Sequence, residues 1–165
     1  MIRHFFTFIF LFIFSALVQA QDNNVTANIN IEANVIQSIE LITVNSMTFG
    51  NTQPGQEVIY VNPITDLNAG YMIAYGTPGA EFRLDYELNR QLTRIEGEGF
   101  LNFRYELSAN SIEDQTSSEL IEYENRNLRF NSEGIYYIWV GGEVNLENAR
   151  PGNYEGDFTI EIDYI

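Results

Sequence analysis

The chain has no cysteine and no lysine, and its only histidine is His4. Without cysteine there is neither a disulfide staple nor a thiolate nucleophile. Lysine's absence removes Schiff-base chemistry, and the body of the chain offers no histidine as general base for a nucleophilic triad. With only carboxylates left as strong ligands, a structural zinc site is excluded. Positive charge is also scarce: eight arginines stand against 23 Asp and Glu, a formal net charge of −15. That balance argues against nucleic acid or anionic lipid as a partner. Beyond about residue 20 there is no long apolar run and no apolar repeat of helical period. No catalytic role is expected and no cofactor is implied.

What is present begins with a leader. Arg3 and His4 precede residues 5–14, which are apolar apart from Thr7, and Val18 and Ala20 put small or apolar residues where a signal peptidase reads. The run is too short to cross a bilayer, so residues 1–20 are expected to be a cleaved signal peptide. With no cysteine behind the run, lipid attachment is not expected either. The product would be one domain, residues 21–165, with no transmembrane segment. It would be exported to the periplasm, the cell surface or the medium. Losing Arg3 makes it more acidic still. Its core has to rest on packing, for which the six Phe and 10 Tyr that follow residue 20 are suited.

The rest of the chain alternates with period two. Val25, Ala27, Ile29 and Ile31 interleave with polar residues, as do Leu101, Phe103, Tyr105 and Leu107. Runs at 39–43, 57–61, 71–75 and 81–86 are bounded by glycine, proline and asparagine. Gly76, Pro78 and Gly79 read as a hairpin between 71–75 and 81–86. Pro151 and Gly152 read the same way between the apolar run from Gly134 and a terminal strand over 154–165. In that strand Phe158, Ile160, Ile162 and Tyr164 share one face. Gly141 and Gly142 mark a bulge or bend. Residues 108–127 read as a long acidic loop with one short strand near 120–123. These signals predict an all-β fold, an antiparallel immunoglobulin-like or pilin-like β-sandwich of eight or nine strands.

Two spaced blocks carry a resemblance. The first is Met47-Thr48-Phe49-Gly50-Asn51 followed by Pro54-Gly55. The second joins Val140-Gly141-Gly142, Val144 and Leu146 to Pro151-Gly152-Asn153-Tyr154-Glu155-Gly156 and a closing strand. Together they resemble domain of unknown function 4402 of bacterial secreted proteins, related to the spore coat protein U group and to chaperone-usher pilin subunits. The resemblance implies an assembly signature in the terminal strand. Tyr164 would be the penultimate aromatic, preceded by Ile162, Ile160 and Phe158, with Gly152 as the upstream glycine. Unlike many pilins, the chain has no cysteine pair.

The pilin comparison implies a sandwich lacking one strand, completed by a periplasmic chaperone or by a neighbouring subunit. Val25, Ala27, Ile29 and Ile31 have the spacing of a donor strand, and equally that of the domain's own first strand. Burying them would contribute roughly 5–9 kcal/mol, comparable with a whole domain's stability of about 5–15 kcal/mol. The leading expectation is an exported, non-enzymatic structural subunit that partners itself, other surface subunits and a chaperone. The alternative is a free-standing module for glycan or calcium. Tyr136, Tyr137 and Trp139 would stack on sugar if exposed, but both faces of 135–140 are apolar, which favours a central buried strand. Loop 112–124 gathers carboxylates that suit calcium but lacks a calcium-loop motif. Carboxylates spaced two apart, such as Asp85 with Glu87 and Glu161 with Asp163, fit solvated strand faces.

Overall fold

In the computed structural model the chain forms two antiparallel sheets packed face to face, a β-sandwich. The structure describes residues 38–49, 56–122, 127–147 and 149–165. All of them fall within one compact unit, 35–165. The expected signal peptide, the strand with Val25, Ala27, Ile29 and Ile31, and the turn around Pro54 lie outside the described residues. No helix among the described residues is long and apolar enough to cross a membrane.

The described residues form eleven strands: β1 (Glu40–Asn45), β2 (Val58–Val61), β3 (Gly70–Tyr75), β4 (Glu81–Tyr86), β5 (Asn89–Arg94), β6 (Phe100–Asn110), β7 (Glu119–Leu120), β8 (Asn127–Arg129), β9 (Ile135–Asn145), β10 (Tyr154–Glu155) and β11 (Ile160–Tyr164). Three of these, β7, β8 and β10, have only two or three residues, and the longer ones other than β5 follow the sequence pattern. The larger sheet runs β1-β3-β9-β6-β5-β10, with β2 on β9 and β7 on β6; the smaller runs β11-β4-β8.

The pair β6·β9 is the backbone of the larger sheet. Leu101, Phe103, Tyr105 and Leu107 of β6 all point inward and are buried, as their spacing predicts. One edge of β9 pairs with β6 from Tyr137 to Val144, while its other edge is divided. Residues 135–140 pair with β3, and 142–145 pair with β2. The change of partner falls at Gly141-Gly142. A Cβ on Gly141 would lie 2.7 Å from Pro63 Cδ, and one on Gly142 would lie 2.7 Å from Phe103 Cζ. Gly142 also has φ +142°, a conformation side chains rarely adopt. The expected bend is therefore a partner exchange on a central strand.

Two expected hairpins do not form. β3 lies in the larger sheet and β4 in the smaller, so Gly76 to Gly79 arches between sheets. At the other end of the chain, β9 and β11 also lie in different sheets. The terminal strand expected over 154–165 is broken in two. β10 pairs with β5, the chain crosses over, and β11 pairs with β4. Gly156 sits at that crossing, where a Cβ would lie 2.7 Å from Leu92 Cδ2.

The sandwich is closed at one end. Phe82 is fully buried, with Phe130 at 4.2 Å and Tyr136 at 5.3 Å between ring centroids. The Gly76 amide donates to the Gly134 carbonyl at 2.8 Å, tying the two arches together. Tyr164 seals this end: its hydroxyl accepts from the Thr77 amide at 2.8 Å, and its ring lies 6.2 Å from Phe130.

Candidate functional site

Among the described residues, the opposite end of the sandwich is open. There the inner face of the larger sheet borders a cavity of about 1000 Å³. Met72 of β3, Leu92 of β5, Leu101 and Tyr105 of β6, and Val140 and Val144 of β9 line it. All six alternate with outward residues on their strands, which is why an inward apolar surface forms. Met47 and Phe49, just after β1, make one wall, and the Phe49 ring meets Phe103 edge-on at 5.4 Å. This wall belongs to the first of the two sequence blocks.

The second block supplies the roof, the connection 149–158. Backbone and side chain both hold it to the edge of β5. The Ile95 amide donates to the Asn153 carbonyl at 2.9 Å, and Arg94 Nη2 donates to the Pro151 carbonyl at 2.6 Å. The Tyr154 hydroxyl donates to the Arg150 carbonyl at 2.8 Å, stiffening the turn. Gly152 has φ +153°, and a Cβ there would lie 2.5 Å from Arg94 Nε. Only glycine lets the turn press this closely on the guanidinium.

The five terminal positions singled out by the sequence thus divide. Gly152 and Phe158 line the cavity. Phe158 lies 4.6 Å from Tyr105 and 6.1 Å from Tyr86 between centroids. Ile160, Ile162 and Tyr164 lie on β11, half-buried against the core, with Tyr164 at the closed end. Among the described residues β11 pairs with β4 alone and β1 with β3 alone, so each is a sheet edge. About as many inward apolar residues are half-covered as fully buried, among them Leu41, Phe49, Ile59, Phe158 and Ile160. Such a core has apolar surface left to cover.

Sequence reasoning missed Met72, Leu92 and Val144 as parts of one surface. They come from three strands distant in sequence, and only the sheet pairing brings them together. Trp139 is buried, and Tyr137 is half-buried on the face away from the smaller sheet, so β9 is central as expected. In the acidic loop weighed as a calcium site, Asp114 caps a short 3-10 helix, Gln115–Ser117. One of its oxygens accepts from the Thr116 amide at 3.0 Å and from the Thr116 hydroxyl at 2.8 Å. Hydrogen bonds from Thr116 and Ser117 hold this carboxyl below the usual carboxylate range.

The perturbed tyrosines are chemically quiet near neutral pH. Burial raises the Tyr105 phenol, Arg90 opposes this, and Asp157 adds to it. Tyr60 donates to Glu106 at 2.7 Å. It is pushed up to about 12 by loss of water, by that hydrogen bond, and by the charges of Glu106 and Glu143. A phenol held protonated by the fold stabilises it fully below the unfolded pKa and stops doing so as pH rises through the folded one. Stability should therefore fall as pH rises from 10 to about 12. Tyr60→Phe should shrink that fall, read from denaturant midpoints alongside tyrosinate absorbance. An unchanged alkaline limb in the variant would refute the assignment.

Fold and site together define an antiparallel β-sandwich with an apolar, strand-lined cavity at one end. No protein-family model matches the chain, and neither does any curated protein.

Proposed function

We propose that the chain is an exported, non-catalytic structural subunit whose sandwich is completed by an added strand. The added strand is the segment with Val25, Ala27, Ile29 and Ile31, from a neighbouring copy or from another surface subunit. A periplasmic chaperone would hold the same surface before assembly. The observation that carries this reading is the cavity of about 1000 Å³, walled by Met72, Leu101 and Val144 and reaching Phe158 just ahead of the edge strand β11. An inserted strand would gain backbone hydrogen bonds along an open edge and bury its alternate side chains against the half-covered core. This role also agrees with the resemblance to coat and pilin subunits.

Size-exclusion chromatography of the chain from residue 21, with and without residues 21–33, tests it. The longer form should give concentration-dependent ladders, and the deletion should abolish them. Identical monomers from both proteins at every concentration would mean that the segment closes its own domain or none.

A further inference from the structure

The outer face of the larger sheet, turned away from the cavity, carries a second feature. Ile42, Ile73 and Tyr137 form one cross-strand row, Tyr71 lies opposite Trp139, and Tyr75 lies opposite Ile135. The rings of Tyr71, Tyr137 and Trp139 are nearly parallel: Tyr71 is 5.4 Å from Trp139 at 12° and 6.5 Å from Tyr137 at 18°. Trp139 is the buried floor of this group, and Tyr71 and Tyr137 are half-buried above it. Toward the sheet edge the stripe opens to solvent, with Tyr75 36% exposed, Ile42 41% and Val44 47%.

Carboxylates rim the stripe. The Tyr71 hydroxyl donates to Glu113 at 2.8 Å, and Glu40 lies opposite Tyr75. The carboxylates that act on the Tyr71 and Tyr137 phenols are Glu113 and Glu133, both raising them, and among the described residues no arginine opposes them. Elsewhere on the sheets carboxylates have basic neighbours, as Glu143 does across from Arg104 and Glu81 does in its pair with Arg129.

Aromatic rings beside carboxylates favour a cation. A guanidinium fits this setting better than an ammonium, because it is planar, stacks on rings and offers paired donors to a carboxylate. A second copy of the chain, itself at −15, would be repelled. A neutral sugar would use the rings but gain nothing from the charge of Glu113 and Glu133. We propose that this aromatic stripe docks an arginine-bearing basic segment of a partner protein, guanidinium groups lying against Tyr137 and Tyr75 and pairing with Glu133 and Glu113. The site lies on the face opposite the cavity and stands whether or not the assembly reading holds.

The chain from residue 21 is titrated with a short oligo-arginine peptide and with oligo-lysine of equal length. Emission of Trp139, the only tryptophan, is followed together with calorimetric affinity. Oligo-arginine should shift the emission and bind several-fold more tightly than oligo-lysine. The pair Glu113→Gln with Glu133→Gln should weaken it about tenfold, or about 1.4 kcal/mol. Tyr137→Leu, which keeps an apolar side chain in the row, should remove the preference for arginine. The control pair Glu96→Gln with Glu98→Gln removes equal charge at the exposed β5–β6 turn and should change affinity by less than about twofold. Equal weakening by the two charge pairs, equal affinity for the two peptides, or an unmoved Trp139 emission each overturns the proposal.

Discussion

Gly142→Ala should lower stability by about 2–6 kcal/mol, combining backbone strain with overpacking. The upper half of that range is expected, because the added methyl would meet the Arg104 carbonyl oxygen and Phe103 rather than a mobile side chain. Gly142 pairs with Tyr105 on one side and Val61 on the other, so the strand cannot swing away from the clash. Gly79→Ala is the comparison. It too has a positive φ, +70°, but nothing lies within 4 Å of its Cβ. That change should cost about 1–2 kcal/mol, the conformational penalty alone. Urea unfolding of both variants reads the difference directly. Equal losses would show that the bend in β9 tolerates a side chain and that the close approach is unimportant.

The second large effect concerns the two ends of the sandwich. Phe82→Ala should cost about 3–5 kcal/mol, since a fully buried ring is removed from between Phe130 and Tyr136. Phe49→Ala, in the cavity wall, should cost the isolated protein only about 1–2 kcal/mol, because its ring is half-buried already. The order should reverse in assembly. Phe82→Ala that still folds should form ladders normally, whereas Phe49→Ala should weaken them by removing wall from the cavity. Comparable stability losses for the two, together with equal ladders, would contradict the distinction between a closed and an open end.

Individual strands were legible because their side chains alternate. Leu101 to Leu107 on β6 and Ile160 to Tyr164 on β11 show it plainly. β5 was not, since Leu92 is its only fully buried residue and the rest of the strand reads as polar loop. Sheet membership was hidden for another reason. Gly76 to Gly79 and Pro151-Gly152 are turn chemistry that serves a hairpin and an inter-sheet arch alike, and the local sequence does not encode which. The break between β10 and β11 depends on Leu92 crowding Gly156, a contact between distant segments. The site followed the same division. Phe158 and Gly152 stood out in sequence as members of a terminal pattern, but the surface they face is assembled from four strands by pairing. Trp139 was placed correctly because apolar residues on both faces of 135–140 left no solvent side.

The shared edge of β9 also sets a timetable for folding. Among the described residues Val58 pairs with Asn145 and Gly70 with Val140. β6 can hairpin with β5 locally, yet the main sheet cannot close until β9 has been made. Pairings this distant in sequence form slowly, because loop closure precedes any reward. As a nascent chain emerges, β2 and one edge each of β3 and β6 wait unpaired for β9. Early truncations should therefore be sticky rather than partly native, and refolding should be slow.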